Sequence, residues 1–332
     1  MTSSQLRIGL IGAGAMGADH ARTIATSVPA GRVTVVHDFA DAPARDLAAE
    51  IGAEVVGSAE DLIGSPDVDA VIIASPDPTH APLATAAIAA GTPVLCEKPL
   101  GVSTAESLAV VEAEAAAGRR LVTVGFMRRF DPGYTALRRL VHDGGLGTPR
   151  MVHNVHRNRV GHPSATTEGI VVNSMIHELD VVPWLLDSPV ASIQVMSPLD
   201  DGFRDPQLAV LRLADGTLAT VEVFIEAAYG YDVRCEVVGT DGAAELAAPT
   251  TLTHSIRGLT GAPVPPDFRP RFAEAYRLEL TEWTASVLDG HPVGPSAWDG
   301  HVANLVAAAG VASLRTGERV AVETPERPEV YA

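Results

Sequence analysis

The chain has only two cysteines, Cys96 and Cys235, far apart and in no CxxC pair. That excludes a disulfide framework and a cysteine-built metal site, and it fits a reducing, cytoplasmic compartment. Positive charge is also scarce: 24 Lys and Arg face 41 Asp and Glu, for a formal net charge of −17. A field of that sign repels phosphate backbones and anionic lipid, so neither nucleic acid nor a membrane surface is an expected partner. An anionic cofactor would need a locally favourable spot such as a helix N-terminus. Long apolar runs are missing. The stretches around 81–90 and 302–312 are Ala-rich and far short of a span, and the run 8–11 is too short for a signal peptide and reads as a strand. Scarcest of all is lysine, because Lys98 is the only one. Arginine supplies charge but keeps its proton, whereas a lysine pKa moves readily on burial. A single lysine is either a leftover of arginine-biased composition or a group retained for its chemistry.

What is present is ordinary globular material, 332 residues with 46% hydrophobic, enough for two domains of roughly 100–200 residues each. Short β-branched runs at 7–11, 33–38, 54–56, 70–74, 93–97 and 121–126 alternate with helical stretches at 15–27, 44–51, 80–90 and 104–117. This alternation predicts βαβ units and an α/β Rossmann domain with a parallel, doubly wound sheet, covering 1–124. From 125 to 332 the pattern changes. Strand candidates at 151–158, 192–197, 208–213, 218–225, 233–238 and 244–246 follow one another across short turns, with helices at 132–141, 174–186, 271–288 and 297–316. These predict an α+β domain with a large open, mostly antiparallel sheet. The Gly- and Pro-rich stretch 258–270 reads as a long loop.

Three motifs carry chemistry. Gly12-Ala13-Gly14-Ala15-Met16-Gly17 follows a strand and opens a helix. Glycines there permit a tight turn and close approach of a pyrophosphate to helix amides. Asp38 ends the second strand, where a carboxylate accepts from the adenosine ribose and repels a 2′-phosphate, which favours NAD over NADP. Cys96-Glu97-Lys98-Pro99 lies at the carboxyl end of a parallel strand, the edge where such sheets place ligands. In Asn173-Ser174-Met175-Ile176-His177-Glu178-Leu179-Asp180, the pair Asn173 and His177 share a helix face. His177 is either a general base or a hydrogen-bonded core histidine, and Asn173 or Ser174 either meets substrate or caps the helix. Pro183 should kink that helix or end its regular part. His156 and Asn158 share a strand face and can touch substrate. Together with His153 and His162 they match no zinc-ligand spacing, so no metal is expected. Met127-Arg128-Arg129-Phe130 follows a strand end and borders a nicotinamide or is a solvated loop.

Taken together these residues resemble the glucose–fructose oxidoreductase/inositol dehydrogenase/rhizopine-catabolism (Gfo/Idh/MocA) family over essentially the whole chain. Carriers include the glycine turn, Ser75-Pro76-Asp77-Pro78-Thr79-His80, Glu97-Lys98-Pro99 and Gly125 to Asp131. Others are His177 to Asp180, Tyr229-Gly230-Tyr231-Asp232 and Ala297-Trp298-Asp299-Gly300. The Met-Arg-Arg-Phe and Tyr-Gly-Tyr-Asp segments are similar to the inositol-oxidising members. That likeness implies NAD-dependent oxidation of a ring hydroxyl of a cyclic polyol, myo-inositol to 2-keto-myo-inositol, by a homotetramer. Other readings are an enzyme for another inositol isomer or sugar, or a non-catalytic NAD-binding regulator. The family resemblance also implies a tight turn at Lys98–Pro99, which makes that bond a candidate for cis. The implied catalytic set is Lys98, Asn173 and His177, with Asn173 standing where the inositol enzymes usually carry aspartate. Cofactor contacts fall on Gly12, Gly14, Ala15, Met16, Asp38, Ser75, Pro76, His80, Glu97, Lys98 and Arg128. Substrate contacts fall on Met127, Asn158, Asn173, Ser174, His177 and Tyr231.

Overall fold

Near-continuous apolar strands need cover on both faces. The segment Ala70–Ile73 is buried at every residue. In the computed structural model, which describes residues 5–247 and 253–332, it is the fourth strand of a six-stranded sheet. The strands are β1 (Leu6–Ile11), β2 (Gly31–His37), β3 (Glu54–Val55), β4 (Ala70–Ile73), β5 (Val94–Cys96) and β6 (Val122–Val124). Their order is β3-β2-β1-β4-β5-β6 and every pairing is parallel. The order reverses beside β1, and ligands of open α/β sheets bind at such a switch point. Ile8, Leu10, Val36, Ile72 and Leu95 form the core, joined by Leu280 and Trp283.

The second sheet has seven strands. They are β7 (Pro149–Arg157), β8 (Val190–Met196), β9 (Gln207–Leu213), β10 (Leu218–Phe224), β11 (Asp232–Gly239), β12 (Ala243–Glu245) and, late in the chain, β15 (Val320–Ala321). Their order is β12-β11-β7-β10-β9-β8-β15. Only β7 and β10 pair in parallel, so the sheet is mixed and mostly antiparallel. Residues 152, 154 and 156 of β7 alternate onto the buried face.

The chain divides into two compact units. The first comprises 1–130, 275–304 and 325–332; the second comprises 131–274 and 305–324. A single cut at 124/125 does not describe this division. The apolar face of Phe268–Asp289 supplies Leu280 and Trp283 to the core of the first sheet.

Two local expectations change. The stretch 258–270 is not all loop: β13 (His254–Ile256) and β14 (Leu259–Gly261) form a hairpin. Its two-residue turn has positive φ at Arg257 (53°) and Gly258 (80°), the backbone a primed turn requires. The helix bearing His177 starts earlier than expected. It runs from Thr167 through a π-helical turn, Ile170–Met175, into Ile176–Leu186. Thr166 caps it by accepting from the Gly169 amide at 2.9 Å, so neither Asn173 nor Ser174 is the cap. Pro183 lies within its last turn without ending it. By length and composition Thr167–Leu186 would pass for a membrane span, which the run-length reading missed. It is a core helix, with Ile176, Leu179, Val182 and Leu185 buried and Glu178 and Asp180 buried beside them.

Candidate active site

In the first unit the glycine-rich turn is set by close backbone contacts. Gly12 has φ +98°, and a Cβ there would lie 2.5 Å from the Ala74 carbonyl; one on Gly17 would lie 1.8 Å from the Gly12 carbonyl. Gly14 differs. Its φ is an ordinary −67°, and a Cβ would meet nothing within 4 Å. Folding therefore does not require glycine at 14, whereas a ligand seated against the backbone would. Gly14 opens the Ala15–Ser27 helix, which among the described residues has no side-chain cap and no acid in its first turn. Its first N–H groups are left to an incoming anion. Asp38 closes the arrangement: its Oδ2 accepts from the Ala13 amide at 2.7 Å and its Oδ1 from the Ala40 amide at 2.8 Å. These residues fit a dinucleotide, with room at Gly14, amides for the pyrophosphate and a fixed carboxylate beside the turn.

Lys98 sits on a second turn of the same unit. The Lys98–Pro99 peptide is cis, as the sequence suggested. Glu97 is 8% exposed, and its Oε1 lies 2.8 Å from His20 Nε2. Burial pushes the Glu97 carboxyl up, but the His20 hydrogen bond and the charges of His20, Lys98 and His80 outweigh it and hold the pKa below its usual range. Gly125 makes space for this carboxylate, since a Cβ there would lie 3.1 Å from Oε2. His80 Nδ1 lies 2.7 Å from the Pro99 carbonyl and Nε2 lies 2.8 Å from the Ser75 carbonyl. The ring thus ties the lysine turn to the Ser75-Pro76 loop rather than presenting itself to a ligand. Ser75 Oγ pairs with Thr79 Oγ1 at 2.6 Å. Met127 and Arg128, 2% and 1% exposed, lie in the short turn after β6 and form no solvated loop. The neighbouring Arg129 pairs with Asp299 at 3.2 Å.

The remaining candidates belong to the second unit. His177 is buried; Asn173, in the π-helical turn, is exposed, and Ser174 is half-buried. His156 on β7 faces three groups. Its Nδ1 lies 3.2 Å from Glu178 Oε2, its ring is 6.1 Å from that of His177, and 6.0 Å from Tyr231. Tyr231 packs edge-on against Phe272 at 6.3 Å. Asn158 is held by its backbone, which bonds Phe224 and Ala227, while its buried Oδ1 has no hydrogen-bond partner in the described residues. The fold thus gathers His156, His177, Glu178 and Tyr231 into one polar cluster. Sequence reasoning missed Glu178 as its acid, and it missed His20 as the partner of Glu97. Neither pairing has a local signal, since 22 and 77 residues separate the partners.

A parallel sheet in this order, a glycine turn opening a helix and a strand-end aspartate define an oxidoreductase with an NAD-binding Rossmann domain. Residues 6–126 match the family model described as "Oxidoreductase family, NAD-binding Rossmann fold", and 134–245 match the "GFO/IDH/MocA C-terminal domain". The chain belongs to the Gfo/Idh/MocA oxidoreductase family. It is 46% identical to inositol 2-dehydrogenase 1 of Saccharopolyspora erythraea, over 98% of this chain and 99% of that one. It is also 46% identical to inositol 2-dehydrogenase 2 of Paenarthrobacter aurescens, over 94% and 96%. A crystal structure of myo-inositol dehydrogenase from Lactobacillus casei, in complex with NAD(H) and myo-inositol, superposes with a TM-score of 0.95 at 31% identity, covering 99% of this chain and 100% of that one.

Proposed function

We propose that this chain is an NAD-dependent inositol 2-dehydrogenase that oxidises myo-inositol to 2-keto-myo-inositol. The observation that carries the reading is similarity over the full length to enzymes of that name, in a chain whose single lysine falls in the family motif. When bound, NAD would supply the acceptor for the hydride lost from C2. The turn from Gly12 to Met16 would hold its pyrophosphate and Asp38 its ribose, the charge of Asp38 disfavouring NADP. His177 takes the hydroxyl proton at Nε2. Lys98 stabilises the negative charge that develops on the same oxygen, as a fixed cation in a dry site does. Asn173 orients the hydroxyl or the lysine without supplying charge. Met127, Asn158, Ser174 and Tyr231 recognise other parts of the ring, and a site built of such donors rejects analogues that leave them unpaired. The protein works in the cytoplasm, a compartment that suits two buried cysteines outside any disulfide among the described residues, and assembles as a homotetramer.

The deciding test is NAD reduction across a panel of inositol isomers, aldoses and sugar acids. Preference for myo-inositol by kcat/KM supports the reading; an aldose preferred over every inositol overturns it. A second reading, preference for scyllo-inositol, has its own observation: an apo scyllo-inositol dehydrogenase from Lactobacillus casei superposes with a TM-score of 0.91 at 26% identity. Lys98→Ala should lower turnover by roughly 10²–10⁴ while NAD affinity changes little. A variant that keeps wild-type turnover, with chemistry rate-limiting, removes Lys98 from the mechanism. Light scattering after gel filtration should give four chain masses.

A further inference from the structure

We propose that the first unit carries a second small-molecule site, at the edge of its parallel sheet opposite the glycine-rich turn, for an organic anion with an apolar body. Pro93 and Leu121 immediately precede β5 and β6, whereas Lys98 and the cofactor turn follow the carboxyl ends of their strands. A cavity of about 460 Å³ opens at those amino ends, a volume within the range of small-ligand pockets. Its wall is apolar at Leu121, Trp283, Val287 and Val330, and its only charged lining residues are Arg119 and Arg120.

Those two arginines differ from the ion-paired ones. Arg7, Arg22, Arg129, Arg157, Arg234 and Arg271 each meet a carboxylate within 3.4 Å. Arg119 and Arg120 donate instead to the backbone carbonyls of Gly91 and Gly294, both at 3.1 Å. Among the described residues neither forms an ion pair. The Nε of Arg120 is buried with no acceptor, and a buried donor left unmade is costly. The carboxyl whose charge reaches Arg120 is Glu114. It is already engaged by the Leu121 and Val122 amides and the Tyr331 hydroxyl. In a chain of net charge −17, two adjacent cations without an ion pair among the described residues, at an apolar cavity, are a local reversal of sign. Arginine forks recognise carboxylate or phosphate in pairs of parallel hydrogen bonds. A ligand with one such group and an apolar body answers both the cations and the Trp283 wall.

The experiment is calorimetric titration of the full chain, saturated with NAD, with 2-naphthoate, 2-naphthyl phosphate and the neutral 2-naphthamide. The saturating NAD keeps the cofactor crevice from being the site observed. At least one anion should bind about tenfold or more tightly than the amide, and the tighter anion identifies the headgroup. Arg119→Ala, at an exposed position, should weaken that anion about tenfold, and Arg120→Lys, which keeps charge but loses the fork, should weaken it less. Equal affinity for the amide, unchanged binding in both variants, or no heat at millimolar probe would each overturn the proposal.

Discussion

Two glutamates buried in the first unit meet opposite fates. Glu97 has His20 against it and stays charged. Glu279 is completely buried, neither of its oxygens has a hydrogen-bond partner among the described residues, and burial reinforced by the charge of Glu97 drives its pKa well above the ordinary range. A carboxyl raised in the folded state makes stability fall as pH rises, because the unfolded chain releases that proton first. Glu279→Gln should therefore flatten the loss of stability between pH 5 and pH 8, measured by urea unfolding, by about 1–3 kcal/mol. His20→Ala works the other way. It strips the partner from a carboxylate whose folded pKa is lowered, so stability normally present above the usual carboxylate range is lost, at about 3–5 kcal/mol. Asn173 makes a kinetic prediction. A neutral amide cannot raise a nearby imidazole's pKa by charge, whereas aspartate can. Because oxidation needs an unprotonated base, Asn173→Asp should move the acidic limb of kcat/KM to higher pH. No shift in either limb would remove Asn173 from the catalytic set.

At the level of elements, the opening of the Ala15–Ser27 helix separates folding from binding within a few residues. Gly17→Val should fail to fold well, because its Cβ would lie 1.8 Å from the Gly12 carbonyl. Gly14→Val should leave stability within about 0.5 kcal/mol and still raise the NAD dissociation constant tenfold or more, because its added atoms meet only open space. Equal losses in both variants would show that the turn is merely structural. The elements of the first sheet were legible from sequence where periodicity and punctuation agree. The helices His80–Ala90 and Thr104–Ala117 have the bounds read from their Ala-rich runs. Short or tertiary features were not legible. Ala59–Ile63 is five residues long, the Arg257-Gly258 turn lacks the usual Asn or Asp, and the π-helical turn at Ile170–Met175 has no local signature. For the site, the residue types were readable but their partners were not. His20 and Glu178 look like ordinary helix residues until the fold brings Glu97 and His156 against them.

At the scale of the whole chain, the first unit is closed by a residue distant in sequence. Tyr331, 3% exposed, donates its hydroxyl to Glu114 Oε2 at 2.6 Å and stacks on Trp298 at 6.5 Å. Tyr331→Ala should cost about 3–5 kcal/mol, read as a lower midpoint in thermal unfolding, although the residue is absent from every motif that suggests catalysis. The interrupted make-up of the first unit has a consequence for biosynthesis. Its strands leave the ribosome well before Leu280 and Trp283, which belong to their core. At 5–20 residues per second the intervening stretch takes roughly 10–30 s. Through that interval the nascent nucleotide-binding half lacks the cover that Leu280 and Trp283 later give its apolar core, and such transiently exposed apolar surface is what makes a nascent chain prone to aggregate.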